Sequence, residues 1–530
     1  MTITLASELP YIAVDNLTIE ASEAGVILDG SALVSNSSGL VIDGAQGATL
    51  RGLQIQGFNW GVLLVRGATY NTVGGDRAVG AGPLGQANLI SGNTHGVQIQ
   101  DSGTAHNSII GNVIGTDISG INAVPNYHGI VIAFGAFQNV IGGVHSPGTC
   151  DGPCNLVSAN QVGVRIQNVG TEGNQVLGNF IGTDLSGGTA NGNESGIIIG
   201  LGASQNVIGG ARNPGVCDGP CNLISGNVNF GVIFEDDGTT GNQVLGNFVG
   251  TNASGDTALP NNHGVGIGED ASDTQVGKTG AGEGNLISGN ANIGVWIDSA
   301  GTTGIQVLGN IIGADISGMT AVPNYHGILI STGSTANQIG DAGTGAGNLI
   351  SGNEYAGIWM EHLATPGNTI AGNKIGTNLT GTGAVPNYYG IIHFAASNNL
   401  IGGTEPGAGN LISGNALEGV HIEHSSLNSL LGNTIGTDVT GEVAIPNVIR
   451  GIFIGGSTSN NTIGGSTPGA GNLISGSGEA GIFIQNYESV GNHILGNRIG
   501  TNRAGSSSLP NGTGVLVIGS QETIIGGADT

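Results

Sequence analysis

A parallel β-helix with three short strands per coil is the fold this sequence predicts, and three observations predict it. A phrase N-L-[IV]-S begins at Asn88, Asn155, Asn222, Asn285, Asn348, Asn410 and Asn472, at spacings of 67, 67, 63, 63, 62 and 62 residues. Between these phrases every apolar run is short, alternating and bounded by Gly or Asn, the pattern of strands and turns, with no sustained helical period. Glycine supplies 104 of 530 residues and aromatics only 4%, too few for several conventional cores, whereas 38% hydrophobic content exceeds that of a disordered Gly-rich chain. A unit this small cannot bury its own apolar face, so the units must stack.

The elements follow in chain order. Residues 1–70 hold compressed phrases such as "GVILDGS", "GLVIDGA" and "GVLLVRG", read as two or three short coils. Residues 71–530 form the regular array of the same solenoid, with two coils per 62–67-residue repeat. One coil reads N-x-I-G-G, a loop, N-L-I-S-G-N, then G-V-x-I. The other reads N-x-[VI]-x-G-N, x-I-G-T-[DN], a loop ending in P-N in most copies, then G-I-x-I. Inward Ile, Val and Leu then fall over their equivalents in the next coil. The recurring Asn supplies a ladder of side-chain hydrogen bonds and tolerates the left-handed backbone of such corners. The closing "TIIGGADT" matches the first strand of a further coil, so no C-terminal cap is expected and the open end is a candidate for strand addition.

Charge and cysteine content exclude some functions. The formal net charge is -26, with ten Lys and Arg residues scattered along the chain. Neither nucleic acid nor an anionic membrane is an expected partner, because both need clustered basic residues. No run of apolar residues is long enough to span a bilayer. "MTITLASELPYIAVDN" lacks the basic and apolar regions of a signal peptide, so an export signal is not expected within this chain. The four cysteines lie in two copies of "CDGPC", at Cys150 and Cys154 and at Cys217 and Cys221. They can close each loop with a short disulfide, link the two loops, or supply four thiolates to zinc.

These phrases resemble the right-handed parallel β-helix repeat proteins, the pectin-lyase-like superfold, in the Gly/Asn-rich form found in exported bacterial proteins. The resemblance covers essentially the whole chain and implies a right-handed solenoid and an extracellular or cell-surface location. It says little about activity, since the fold carries lyases, hydrolases, epimerases, adhesins and inert stalks. The signatures of its enzymes are missing. Arg165 in "GVRIQ" has no acidic cluster matching a pectate-lyase-like calcium site, and the only Asp pair, Asp236–Asp237, sits in a turn. No catalytic set is therefore assigned, and the chain is expected not to be an enzyme.

Weaker constellations remain. Glu361–His362 and Glu423–His424 recur one repeat apart, with Glu235 and Asp298 at equivalent positions, forming an acidic row. Paired carboxylates work on glycosides when about 5–10 Å apart, and two layers give about 9.6 Å. The "IGTD" loops present Asp117, Asp184, Asp315 and Asp438, but single carboxylates two layers apart do not converge as calcium requires. No metal or other cofactor is assigned, calcium being the one weak candidate.

The third position of G-[VI]-x-[IV] must face outward. In coil order it includes Ile198, Ile233, Trp296, Leu329, Trp359, Ile392, Phe453, Phe483 and Leu516. A long exposed apolar row usually marks an interface. The expected function is accordingly a non-catalytic extracellular structural solenoid (a surface, filament or adhesin segment) that self-associates, or binds another surface protein, through this row or its open ends. The alternative is a polysaccharide-binding or polysaccharide-degrading β-helix protein, with Trp296, Trp359 and the acidic row at the sugar.

Overall fold

Alternation within each short run decides the architecture: one side chain points in, its neighbour points out, and Gly or Asn turns the chain before the next run. In the computed structural model these runs are strands throughout, and no helix occurs among the described residues. The structure describes all residues except 35, 344, 363–364 and 527–530, so the last four residues of "TIIGGADT" lie outside it. The strands pair in parallel into three sheets, giving a right-handed parallel β-helix with about 16 turns.

The chain divides into two compact units. The first comprises residues 1–266 and 281–285, the second residues 267–280 and 286–530. In both, the N-L-I-S strands and their x-I-G partners build a first sheet, the G-V-x-I strands a second, and the N-x-I-G strands a third. Strands of the second sheet are the longest, five or six residues, running from Ser38–Asp43 to Phe230–Phe234 in the first unit and from Ile293–Ile297 to Thr513–Ile518 in the second. The register repeats like over like: Val295 pairs Ile328, Ile328 pairs Ile358, and Ile358 pairs Ile391. All four are fully buried, so the interior is a column of aliphatic side chains.

Asparagine ladders hold all three corners. At the first sheet the Asn373 side-chain amide donates to the carbonyl of Ile339 at 2.7 Å and to Asn410 at 3.0 Å, while its oxygen accepts from the Asn348 amide at 3.0 Å. Asn387 at the second sheet and Asn428 at the third repeat this pattern. Each Asn satisfies backbone groups that a corner would otherwise orphan. The ladder at the second sheet is broken at Ser477, whose buried hydroxyl has no partner. Glycine is required where coils approach closely: at Gly115 (φ 94°) a Cβ would sit 2.2 Å from the Ser158 carbonyl.

The first sheet is covered. Its outward Leu156, Phe180 and Leu223 are completely buried, because the T-[DN] loops fold over them. Asp117 acts within its own loop, accepting from Ser119 at 2.6 Å and Asn122 at 2.6 Å. Those hydrogen bonds hold its carboxyl below the usual range. The cysteines pair within their loops, Cys150 with Cys154 and Cys217 with Cys221.

One core position departs from the aliphatic rule. His393 takes an inward place between Met360 and Ile422, fully buried, and neither ring nitrogen has a hydrogen-bond partner. Burial pushes its pKa down to about 4.

Candidate functional site

Parallel register turns sequence positions into columns, and on the outward face of the second sheet three columns run side by side. The central one is the row read from the sequence. In the second unit Trp296 pairs Leu329, Leu329 pairs Trp359, Trp359 pairs Ile392, Ile392 pairs His421, His421 pairs Phe453, and Phe453 pairs Phe483, which pairs Leu516. The flanking members face outward, but none is freely exposed. Ile392, Phe453 and Phe483 are only 5–6% accessible, and Trp296, Leu329, Trp359 and Leu516 are half-buried. Stacking at about 4.8 Å lets each large side chain cover its neighbours. In the first unit Ile198 pairs Ile233, both half-buried, in the same way.

The second column lies two residues further on and carries the acidic row. Glu361, Phe394 and Glu423 are register partners, so the two carboxylates are two coils apart with a phenyl ring between them. Glu235 meets Arg165 at 3.7 Å. Asp298 accepts from the Ser331 hydroxyl at 2.6 Å, and that hydroxyl in turn accepts from the Trp296 indole at 3.2 Å. The partners proposed for the glutamates do not share their work. His362 and His424 occupy left-handed turn positions at φ 74° and 51°, outside the strands, with His362 3.8 Å from Glu361. A depression of about 520 Å³ adjoins His362, lined also by Thr332, Glu361 and Phe394.

The third column, at the strand entrance, was missed. It contains His326, Tyr389, Glu418 and Arg450, and beside it Tyr325, Tyr355 and Tyr388 stack with ring centroids 5.7 and 6.1 Å apart. Trp359 packs edge-on to His326 at 4.9 Å and tilted to Tyr355 at 5.5 Å, and its buried indole nitrogen has no hydrogen-bond partner. Tyr389 lies edge-on to His421 at 5.5 Å. The sequence signal was a replacement of Ser, Val and Ile by Glu418 and Arg450 in one column; reading only the central column hid it.

Glu418 organises the charges. It is almost wholly buried, yet it accepts from His421 Nδ1 at 2.6 Å and from the Arg450 guanidinium at 2.7 Å. Arg450 also reaches Glu479 at 2.8 Å and lies over the rings of Phe453 and Phe483, 5.2 and 4.6 Å from their centroids. His421 Nε2 faces Glu423 at 3.4 Å. Burial alone would lower the His421 pKa, but the carboxylates of Glu418 and Glu423 outweigh it and raise the value. Burial, then the Glu418 charge, pushes the Tyr389 hydroxyl up to about 12. The result is an aromatic wall beside an imidazole held toward its protonated form, the kind of paired and perturbed set that marks functional sites.

Elsewhere the groups are less suited to chemistry. A cleft of about 680 Å³ between loops over the first sheet is lined by Glu405, Arg498 and Arg503. Arg503 is engaged there with the carbonyl of Thr440 at 2.9 Å. Among the described residues no group of three or more His, Cys, Asp or Glu is placed to hold a metal ion. No helix among the described residues is long and apolar enough to cross a membrane.

No protein-family model and no curated protein sequence matches the chain. Several solved structures align with it. A periplasmic alginate epimerase aligns over 83% of this chain and 77% of its own length at 13% identity, with a TM-score of 0.36. The Dettilon tailspike protein aligns over 78% of this chain and 61% of its own at 18% identity and a TM-score of 0.35. A mannuronan C-5 epimerase module of Azotobacter vinelandii aligns over 96% and 92% at 12% identity and 0.20. The expected non-catalytic structural rod and the expected absence of enzymatic activity are both corrected: the row intended for self-association is largely covered by its own stacking, and a buried charge network stands where no catalytic set was assigned.

Proposed function

We propose that the protein is a polysaccharide-active β-helix that binds a glycan along the outward face of the second sheet in its second unit and cleaves it beside His421. One observation carries this: aromatic side chains and a Glu-held imidazole share a single face of the solenoid. Aromatic surfaces with polar tips suit sugars, whose C–H faces pack on rings while their hydroxyls need donors and acceptors. Trp359, Tyr355 and Tyr389 form that wall, and the His421–Glu423 pair, with Glu423 open toward the sugar, supplies the proton to the glycosidic oxygen as water adds to the anomeric carbon. Two disulfides fit a location in an oxidising compartment outside the cytoplasm.

The test is affinity electrophoresis and a reducing-end assay across a polysaccharide panel. Trp359→Ala is expected to weaken retardation by roughly tenfold or more, since one aromatic platform contributes on the order of 1–2 kcal/mol. His421→Gln is expected to keep binding and lose about a hundredfold or more in turnover. A native chain that no polysaccharide retards would sink the reading. Equal turnover by the His421→Gln protein would remove its catalytic half.

A further inference from the structure

We propose that the glycan taken by this face carries ammonium groups: an amino-sugar polymer, in preference to a neutral glycan or a polyuronate. This rests on the glycan-binding reading above and adds the charge of the ligand. Both cations of the site are already engaged twice, His421 between Glu418 and Glu423, and Arg450 between Glu418 and Glu479. Glu423 and Glu479 nevertheless keep 35% and 47% of their side-chain surface open, and Glu361 keeps 28%. The face thus presents carboxylates beside aromatic rings.

A polyuronate would bring further carboxylates to a face with no uncommitted cation, in a chain of net charge -26. An ammonium group is attracted both by the open carboxylates and by the faces of the rings. The spacing agrees. Glu361 and Glu423 lie two coils apart, about 9.6 Å along the axis. In an extended twofold β-linked chain, alternate sugars turn the same substituent to one side, so every second ammonium meets a glutamate.

Binding of the full chain to three hexasaccharides tests this by calorimetry: β-1,4-linked glucosamine, its N-acetylated counterpart, and oligogalacturonate, at a pH where the amines are protonated. The glucosamine hexamer is expected to bind about tenfold more tightly than the N-acetylated one, an advantage that added salt erodes. The double variant Glu361→Gln, Glu423→Gln is expected to remove that advantage, so that the glucosamine hexamer binds no more tightly than the N-acetylated one. Equal or tighter binding of the N-acetylated or galacturonate hexamer overturns the proposal and leaves the glycan-binding reading standing. A preference that survives the double variant overturns it too, because the attraction then belongs to the protein's overall charge. If none of the three binds, both the proposal and the glycan reading it rests on fail for these chains.

Discussion

The two units repeat one coil and differ in what they place on its outer face. In the first unit the second sheet carries Trp60, His95 and His128 rings stacked at 6.2 and 5.1 Å, the Trp60 indole donating to Gln98 at 2.9 Å, and Arg165 meeting Glu235 at 3.7 Å, but no buried carboxylate joins them. Gln98 and Val131 are nearly covered, and the stiffening lies in the loops, where both disulfides sit. In the second unit the same face carries Trp359, three stacked tyrosines and the Glu418 network, and there are no disulfides. Apart from Phe234 in the first unit and His393 in the second, the interior of the second sheet is the same aliphatic column in both. A solenoid can therefore vary its outer face without disturbing the packing that makes it fold, and concentrated aromatic and charged substitutions stand out as function.

That contrast can be broken most strongly at Arg450. Arg450→Ala leaves the buried Glu418 with one cation in place of two and uncovers Phe453 and Phe483, and is expected to cost about 3–4 kcal/mol in chemical denaturation. Arg165→Ala in the first unit, with both partners more accessible, should cost less than about 1 kcal/mol. Similar losses for the two would show that the second unit's network is not special.

The shared frame gives the next effect. Asn179→Ala in the first unit and Asn373→Ala in the second each remove a buried bridge between coils, and each should cost about 3 kcal/mol. A large difference between them would mean that the ladders are not equivalent.

Acid acts on both units, since burial pushes His128 in the first and His326 and His393 in the second down to about 4, and of these His393 alone is fully buried. Its folded pKa of about 4 lies below the ordinary imidazole value, so the folded state binds fewer protons between the two. Stability is fully present above about pH 6.5 and is lost as pH falls toward 4, by about 3 kcal/mol in all. His393→Met should remove its share of this dependence, leaving that of His128 and His326, in denaturation curves measured across that window. His421 has the opposite sign: its raised pKa gives stability that is present below the unfolded value and fades as pH rises through the folded one.

The smallest effect for any one broken link in the frame is confined to the first unit. Reducing both disulfides opens loops of only five residues, costing about 2 kcal/mol each in the chain-entropy account. Proteolysis of reduced protein should then begin near residues 150–154 and 217–221. Cleavage first in the second unit would show that the loops do not limit the first.

Much of this was legible in the sequence. The spacing of N-L-I-S set the coil length, alternation set which residues face in, and the Asn positions marked the corners. Trp359 and Glu361 could be placed on the outward face because both follow the same alternating strand. The Glu418–His421–Arg450 set could not be assembled the same way: Glu418 and His421 lie within one strand, but Arg450 enters from the next coil, 32 residues later. The apolar row read as exposed because a linear string does not show that each member is covered from above and below.

What the sequence by itself determined is therefore everything that depends on local periodicity: strand, turn, corner and the inward column. The tertiary structure alone decided which outward groups touch. Contact between coils is set by register, and register brings together residues about 30 apart whose pairing no local pattern records.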